Sequence, residues 1–509
     1  EGPTAVNLMM LLEMAAGGFA DRVAVGTRDS GLTFAELFER SGAIADRLRS
    51  VDAGHLVLAD VSSEALPAML FGASWAGIPF VPLNYRLADA ELRTLAGRVS
   101  PALAVAEPGA AGRLDGIDGV ETVDRAVLWT ELATALSANH DWAFDGEDVA
   151  VLLFTSGTTG DPKAAVLRQR HLVSYILGSV EFGSAGEEEA ALVSVPPYHV
   201  AGIAAVLSNA FAGRRLLQLP TFEPNAWIDL VRSEGVTSAM VVPTMLARIV
   251  EHLDAEGPGS PGLPTLRALS YGGGRMPQPV VERALELLPD TRFVNAYGLT
   301  ETSSTVALLG PDEHRAAVAS DDPAVRRRLA SAGRPMPGIE VSIRDEAGAE
   351  APVGEAGDIW LRGEQVSGEY REQGSRLTDD GWFPTNDGGW LDDEGYLFVT
   401  GRIDDVIVKG GQNISPGEIE GVLLRHPAVA DAAAIGLPDH EWGERIVVAV
   451  ATHTGVEASA EELCALVRRE LRSNRTPDHV EFVDDLPYGD TGKLLRRVLR
   501  EQLAHLGDA

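Results

Sequence analysis

The most informative stretch of this sequence is Thr155-Ser156-Gly157-Thr158-Thr159-Gly160-Asp161-Pro162-Lys163, which follows the apolar run Val149–Phe154. An apolar run bounded by turn formers predicts a buried strand that leads into the stretch. Glycines let backbone amides approach a polyphosphate, hydroxyls donate hydrogen bonds, and a lysine adds a compact charge. The spacing differs from that of the Gly-x-x-x-x-Gly-Lys-Ser/Thr loop. The stretch therefore predicts a phosphate-binding loop of another type, with a polar hairpin turn as the alternative.

The composition is that of an acidic globular protein. Of the 509 residues, 45% are hydrophobic and 23% are charged, and this length predicts about two to four domains. The formal net charge of −33 opposes binding to nucleic-acid phosphates or to an anionic membrane. No apolar run approaches about 18 residues, so no membrane span is predicted. The single cysteine, Cys464, excludes an internal disulfide and a cysteine-built metal site, and it favours a cytoplasmic location.

Lysine is rare in this chain. Of the 42 basic residues, only three are lysines, namely Lys163, Lys409 and Lys493, and the others are arginines. A GC-rich genome that favours arginine codons is one explanation. Lysine and arginine are not interchangeable at compact phosphate sites or catalytic sites. The three lysines are therefore candidates for specific roles.

Helix and strand patterns alternate through most of the chain. Thr33 and Glu36 predict a capping box at the start of a helix, and short apolar runs such as Phe80–Leu83 predict buried strands. This alternation predicts an α/β fold with largely parallel sheets. The segment Thr378–Gly411 is dense in Gly and Asp and predicts turns and short strands. A helix is then predicted to start at Ser415-Pro416-Gly417-Glu418, with the serine as N-cap.

Two domains are predicted. Residues 1–402 are expected to form a large N-terminal body of mixed and parallel sheets flanked by helices, and residues 403–509 a small α+β domain. In the small domain, Ile446–Ala451 and Val480–Val483 predict strands, and Ser459 opens a helix.

Downstream motifs carry a resemblance to a known family. They are Tyr297-Gly298-Leu299-Thr300-Glu301, Gly401-Arg402-Ile403-Asp404-Asp405 and Thr491-Gly492-Lys493. With the first stretch they resemble the adenylate-forming superfamily, which includes AMP-forming acyl-CoA synthetases, nonribosomal peptide adenylation domains and firefly-type luciferases. The resemblance extends from Tyr85-Arg86 to Lys493, and the motifs occur in the family's order.

The resemblance implies a nucleotide site. Tyr297 would stack on adenine, Thr300 would donate to the α-phosphate, and Glu301 would hold Mg²⁺. The other implied nucleotide contacts are Thr155, Ser156, Gly157, Thr158, Thr159, Gly160 and Lys163 on the phosphates, Gly273, Gly274 and Arg275 along the adenine, Asp387 on the ribose, and Arg402.

The resemblance also implies an acyl pocket, a CoA channel and a hinge. Asp404 would be the pivot of the small domain, and Gly410 and Gly411 would line the pantetheine channel. The implied acyl pocket contains His199, Val200, Val242, Tyr271 and Gly272. The implied catalytic residues are Lys493, Thr300, Glu301 and His199.

The implied reaction has two steps. A carboxylate displaces pyrophosphate from ATP to form an acyl-adenylate, and the thiolate of CoA then displaces AMP. Lys493 and Mg²⁺ would stabilise the charge that builds on the α-phosphate in the first step. ATP and CoA are the expected cosubstrates, and Mg²⁺ is the expected cofactor.

The pocket segments favour one branch of the family. Amino-acid-activating relatives usually place an Asp near the segment that here reads His199-Val200-Ala201-Gly202. Because that Asp is absent and the candidate pocket residues are mostly apolar or glycine, we expect an acyl-CoA ligase for a bulky, largely apolar acid. A second copy of the chain, as a homodimer, is a further expected partner.

Three departures from the family pattern keep alternatives open. They are Ala164 where the family usually has Gly, Arg168-Gln169 where it has Thr-His or Ser-His, and Asn386 where it has Gly. If position 164 needs a left-handed backbone, alanine costs roughly 1–2 kcal/mol there. One alternative is therefore a thioesterification-only enzyme that takes preformed acyl-adenylate from a partner ligase. A luciferase-like oxygenase and an inactive nucleotide-binding module are the others.

Overall fold

The structure is a computed structural model that describes residues 5–133, 135, 141–155, 162–257, 260–345, 347–453, 455–471, 473–489 and 494–507. The chain forms a large α/β body followed by a smaller α+β domain, as the alternation of patterns predicts. In the described part of the chain, no helix is both long enough and apolar enough to cross a membrane.

The helices are numbered in chain order. They are α1 Met9–Phe19, α2 Phe34–Ser50, α3 Ala65–Ala76, α4 Asp89–Gly97, α5 Arg125–Glu131, α6 Gln169–Ser179, α7 Val200–Ala212, α8 Pro224–Glu234, α9 Pro243–Glu256, α10 Gln278–Leu287, α11 Pro311–Ala319, α12 Pro323–Arg326, α13 Pro416–Leu423, α14 Ala460–Leu471 and α15 Arg496–Gln502.

The strands are numbered in the same way. They are β1 Val23–Val25, β2 Leu32–Thr33, β3 His55–Ala59, β4 Phe80–Pro82, β5 Ala102–Ala106, β6 Val120–Asp124, β7 Val149–Thr155, β8 Lys163–Arg168, β9 Ala190–Val193, β10 Arg215–Gln218, β11 Ser238–Val241, β12 Ala268–Gly272, β13 Arg292–Leu299, β14 Ser304–Leu309, β15 Arg334–Pro335, β16 Glu340–Arg344, β17 Gly357–Arg362, β18 Glu369–Tyr370, β19 Gly374–Ser375, β20 Phe383–Leu391, β21 Leu397–Arg402, β22 Ile407–Lys409, β23 Gln412–Ile414, β24 Val429–Asp439, β25 Gly443–Thr452 and β26 His479–Phe482.

Two large sheets form the body. One has the order β15-β14-β13-β12-β11-β9-β10-β1-β2, and the other has the order β19-β18-β8-β7-β4-β3-β5-β6. Their central strands run parallel, as predicted, whereas antiparallel pairs such as β13 with β14 and β7 with β8 lie toward one side. The helix α3 is buried on every side, which explains why it lacks a polar face.

A third sheet, β16-β17-β20-β21, is antiparallel. It contains most of the Gly- and Asp-rich segment, for which we predicted only turns and short strands. That prediction was wrong for β20, which has nine residues. Buried side chains alternate along β20 and include Phe383, Thr385 and Asp387, so one face packs on the body despite the unfavourable composition.

A 3₁₀ turn at Ile403–Asp405 follows β21, the last strand of the third sheet. The helix α13 starts at the predicted position, and Ser415 is its N-cap residue. The serine side chain does not cap the helix, however, because its Oγ donates to the carbonyl oxygen of Thr400 at 2.8 Å. A side chain predicted to stabilise a helix end instead attaches the small domain to β21.

Candidate active site

The strands on either side of the phosphate stretch, β7 and β8, are antiparallel neighbours. The strand β7 continues to Thr155, which is paired with Lys163 at the start of β8, and the Thr155 Oγ1 donates to the Lys163 carbonyl oxygen at 3.4 Å. The buried strand predicted ahead of the stretch is present as β7, and the choice between a phosphate-binding loop and a polar hairpin turn stays a prediction. The predicted contacts Ser156, Gly157, Thr158, Thr159 and Gly160 lie outside the described residues, and so does Lys493. Their roles stay predictions.

Three predicted nucleotide contacts meet in one cluster. The Tyr297 hydroxyl donates to Oδ2 of Asp387 at 2.7 Å, and Nη1 of Arg402 donates to Oδ1 at 3.1 Å. Asp387 is buried, and its carboxylate can accept from more donors than these two, ribose hydroxyls included. Burial, together with Asp387, raises the pKa of Tyr297, so the hydroxyl keeps its proton. The sheets thus bring together residues 297, 387 and 402 from β13, β20 and β21.

The predicted metal residue, Glu301, is buried in a 3₁₀ turn that follows β13. Its Oε1 accepts a hydrogen bond from the hydroxyl of Tyr370. Burial, with Glu301 adding to it, raises the pKa of Tyr370, so the tyrosine remains a donor at neutral pH. Among the described residues, no hydrogen bond is donated to the Glu301 Oε2.

This arrangement fits Mg²⁺ held jointly with a substrate. The described residues contain no cluster of three or more acidic, His or Cys side chains able to hold a metal alone. Mg²⁺ is usually bound through one or two carboxylates plus substrate phosphates. Glu301 offers one oriented carboxylate of that kind, next to Thr300.

Three predicted acyl-pocket residues lie at the N-terminal ends of two helices. Val242 is the N-cap residue of α9, and a Cβ at Gly273 would lie 3.8 Å from a Val242 methyl. His199 is the N-cap residue of α7, its ring lies 4.9 Å from that of Tyr198, and Val200 is the first residue of that helix.

Two other predicted pocket residues are enclosed by the fold. Tyr271 is fully buried, and its hydroxyl lies 2.8 Å from Nε2 of His314. Gly272 permits close strand packing, because a Cβ there would lie 2.2 Å from the Ala296 carbonyl oxygen. Both positions therefore have a packing function, whatever they contribute to a pocket.

Arg275 contacts the small domain. Its Nη1 donates to the carbonyl oxygen of Gly417 and lies 4.0 Å from Oε2 of the buried Glu420. Glu420 also accepts from the Ala434 amide at 2.9 Å and pairs with Arg496 at 2.8 Å. The Gly273–Arg275 segment therefore connects the body to α13 in this arrangement of the domains.

The predicted channel and hinge residues are exposed. Gly410 and Gly411 have φ of +59° and +75° and form the two-residue turn between β22 and β23. The turn requires positive φ at both positions, which glycine provides without steric cost. Neighbouring Lys409 forms an ion pair with Asp478 at 2.6 Å, a structural contact within the small domain. Asp404 lies in the exposed 3₁₀ turn between the domains.

The backbone at the departures corrects one expectation. Ala164 is fully buried in β8, is paired with Phe154, and lies outside the left-handed region. The steric argument for a strained phosphate loop at Ala164 is therefore wrong. Asn386 does have a left-handed backbone, with φ of 60°, but asparagine is among the residues that tolerate this conformation best.

The departure at Arg168-Gln169 has a structural explanation. Gln169 is buried, accepts from the Leu8 amide at 2.9 Å, and donates to Oγ of Ser74 at 3.3 Å. It therefore joins α6 to the first helices of the body. Arg168 forms two hydrogen bonds with the carboxylate of Glu369, at 2.9 and 2.8 Å.

We did not predict Tyr370, Glu369 or the contact made by Arg168 from the sequence. Glu369 and Tyr370 form a two-residue strand that has no periodic pattern to reveal it. Tyr370 is separated from Glu301 by 69 positions, and Arg168 is separated from Glu369 by 201. A single sequence contains no signal for such long-range pairs.

Comparison with known proteins agrees with this geometry. The family model described as AMP-binding enzyme matches residues 12–371, and the model described as AMP-binding enzyme C-terminal domain matches residues 418–493. A fatty acid–[acyl-carrier-protein] ligase, ScoC from Streptomyces coeruleorubidus, is 31% identical over 92% of this chain and 91% of its own length. A 2-succinylbenzoate–CoA ligase from Geobacillus kaustophilus is 32% identical over 94% of this chain and 95% of its own.

A solved structure extends the likeness to three dimensions. The o-succinylbenzoate CoA synthetase of Bacillus subtilis, in complex with the acyl-adenylate OSB-AMP, is 27% identical and superposes with a TM-score of 0.83. The match covers 96% of this chain and 97% of the other.

The fold and the family matches define an adenylate-forming enzyme. The chain belongs to the AMP-binding enzyme family, and it is an AMP-forming, ATP-dependent acid–thiol ligase of the acyl-CoA ligase group. The resemblance inferred from the motifs is thereby confirmed. The relatives do not favour a thioesterification-only enzyme, an oxygenase or an inactive module.

Proposed function

We propose that this protein forms an acyl-CoA thioester from a bulky, largely apolar carboxylic acid through an acyl-adenylate. Family membership and the meeting of Tyr297, Asp387 and Arg402 beside the turn of Glu301 support this proposal. The relatives are named for a fatty acid and for 2-succinylbenzoate, both bulkier than acetate, and the fatty acid is also largely apolar.

In the first half-reaction, a carboxylate oxygen of the acid bonds to the α-phosphorus of ATP as the bond to pyrophosphate breaks. Asp387 would accept the ribose hydroxyls, and Thr300 would donate to the α-phosphate. Mg²⁺, when held by Glu301 and the phosphates, supplies positive charge that stabilises the transition state. Lys493 would add a second positive charge, and the stretch from Thr155 to Lys163 would bind the leaving phosphates.

In the second half-reaction, the acceptor thiolate bonds to the acyl carbon and AMP leaves with the bonding electrons. We propose that the small domain, residues 403–509, rotates about Asp404 between the two steps and places Gly410 and Gly411 beside the thiol. Domain rotation about a few loop residues is an established way to rebuild a site between steps.

The single cysteine still favours a cytoplasmic location, which stays a prediction.

The test measures the two half-reactions separately over a panel of aromatic, branched and long-chain acids. ATP–pyrophosphate exchange reports the first step, and thioester formation from a synthetic acyl-adenylate reports the second. Lys493→Ala should lower exchange on the order of 10²–10³-fold while leaving the second step largely intact. Equal losses in both steps would contradict this division of roles.

The acceptor is tested in the same experiment. We propose CoA as the acceptor, whereas ScoC is named for a carrier protein. Comparing CoA with a phosphopantetheine-bearing carrier protein distinguishes the two, and faster thioester formation on the carrier protein would overturn the CoA assignment.

A further inference from the structure

A short segment, residues 366–372, fixes both the backbone and the side chain of Glu301. The amides of Ser367 and Gly368 donate to the Glu301 carbonyl oxygen at 2.9 and 3.1 Å. Two residues later, the Tyr370 hydroxyl donates to Oε1 of the same glutamate. The carboxylate is thus oriented by one segment that is distant in sequence.

The same segment is attached to β8, the strand that leaves the phosphate stretch. The Ser367 Oγ donates to the Val166 carbonyl oxygen at 2.6 Å, and Tyr370 is paired with Ala165 in the antiparallel direction. Two further bonds join Ala164 to residues 371 and 372, at 2.9 and 3.1 Å. Because these bonds lie on one strand, the segment holds residues 164–166 of β8 and Glu301 in a fixed relation.

An ion pair completes the attachment. Arg168, at the end of β8, donates through Nε and Nη2 to both carboxylate oxygens of Glu369. Both side chains are about three-quarters buried, with 25% and 22% of their surface exposed. A two-bond arginine–carboxylate pair fixes direction as well as distance. Glu369 directly precedes Tyr370, so the pair limits where the tyrosine hydroxyl can be.

We propose that Tyr370 is a positioning residue that aims the Glu301 carboxylate at Mg²⁺, and that the Arg168–Glu369 pair holds Tyr370 in place. This inference rests on the proposed role of Glu301. With Oε1 occupied by the tyrosine hydroxyl, Oε2 remains to face a metal. Groups that orient a metal-binding carboxylate typically change metal affinity by about 10–100-fold when removed.

The test is Tyr370→Phe, which removes one oxygen atom and keeps the buried ring. Binding of Mn²⁺, in the presence of a saturating nonhydrolysable ATP analogue, is followed by electron paramagnetic resonance, a readout independent of turnover. We expect about tenfold weaker Mn²⁺ binding. Calorimetric AMP binding and thioester formation from synthetic acyl-adenylate should be unchanged, because neither requires the metal at Glu301.

Two further variants complete the design. Tyr175→Phe is the matched control, because Tyr175 is also a buried tyrosine of the body and, within the described residues, forms no hydrogen bond with Glu301. It should leave Mn²⁺ binding unchanged. Glu369→Gln weakens the ion pair and keeps the shape, and we expect a several-fold loss of Mn²⁺ affinity in the same direction. Thermal unfolding of each variant confirms that the folded protein is being measured.

Glu301→Gln separates failure of this inference from failure of the proposed function. If Glu301→Gln weakens Mn²⁺ binding but Tyr370→Phe does not, the positioning role is wrong and the metal role of Glu301 stands. If Glu301→Gln has no effect, the metal assignment itself is wrong. Equal losses of AMP binding and Mn²⁺ binding in Tyr370→Phe would indicate a general structural role and would also overturn the inference.

Discussion

Replacing Ala164 by glycine, the residue that the family usually has there, should destabilise this protein without improving adenylation. Ala164 is fully buried in β8 and lies outside the left-handed region. Loss of its buried methyl group costs about 0.8 kcal/mol. Glycine inside a strand costs roughly a further 0.5–1 kcal/mol, because it loses more conformational freedom on folding. We therefore expect the free energy of unfolding to fall by about 1.5 kcal/mol.

Replacing Asn386 by glycine, unlike the same change at Ala164, should have little effect on stability. Its φ of 60° lies in the left-handed region, where glycine is unstrained and alanine is not. Asn386→Gly should change the free energy of unfolding by less than about 0.5 kcal/mol, whereas Asn386→Ala should cost about 1–2 kcal/mol. Because Asp387 is the next residue, the alanine variant should also weaken AMP binding.

Urea denaturation and ATP–pyrophosphate exchange measure the two effects separately. Ala104→Gly is the control, because Ala104 is a fully buried alanine in β5 of the same sheet. If the reasoning is correct, Ala164→Gly and Ala104→Gly lose similar stability, and neither gains exchange activity. A gain of exchange in Ala164→Gly, with stability unchanged, would show that the phosphate stretch needs a glycine there and would refute the argument.

Three further predictions concern acid stability and the domain contacts. Burial lowers the pKa of His171 from 6.5 to about 3. As the pH falls below 6.5, the unfolded chain takes up a proton on this histidine and the folded chain does not, so the free energy of unfolding decreases. His171→Asn should therefore reduce the decrease in the free energy of unfolding between pH 7 and pH 5 by about 2 kcal/mol, as measured by urea denaturation at each pH. A Cβ at Gly421 would lie 2.2 Å from Nη2 of Arg275, so Gly421→Ala should speed amide hydrogen exchange in α13, and in an Arg275→Ala background it should have little further effect. Proline fixes φ near −65°, so Asp404→Pro should slow thioester formation more than ATP–pyrophosphate exchange, and unchanged kinetics in both steps would place the pivot elsewhere.

Local features of the fold could be predicted because they depend on neighbouring residues. The capping box of Thr33 and Glu36 is present, with the Glu36 amide donating to the Thr33 Oγ1 at 3.2 Å. The start of α13 was predicted equally well, but the partner of the Ser415 hydroxyl was not. That hydroxyl binds Thr400 because two domains approach each other, and spacing within one helix contains no information about such an approach.

The candidate site could likewise be predicted only in part from the sequence. Tyr297, Asp387 and Arg402 were assigned from their motifs, and the structure brings them into contact. Ala164 and Asn386 were treated alike because each occupies a glycine position of the family. Only the backbone angle distinguishes them, since Asn386 has a left-handed φ and Ala164 does not.

The ion pair between Arg168 and Glu369 also constrains how the sequence can diverge. A change of Arg168 alone leaves the largely buried Glu369 carboxylate without this partner, which costs more than the pair contributes, whereas a change of Glu369 leaves Arg168 with Glu147 at 3.8 Å. The two positions should therefore substitute together during evolution, and a graft from a relative with threonine at position 168 should be tolerated only when position 369 is exchanged as well. Positions 168 and 369 should therefore covary among relatives, although 200 residues separate them in the chain.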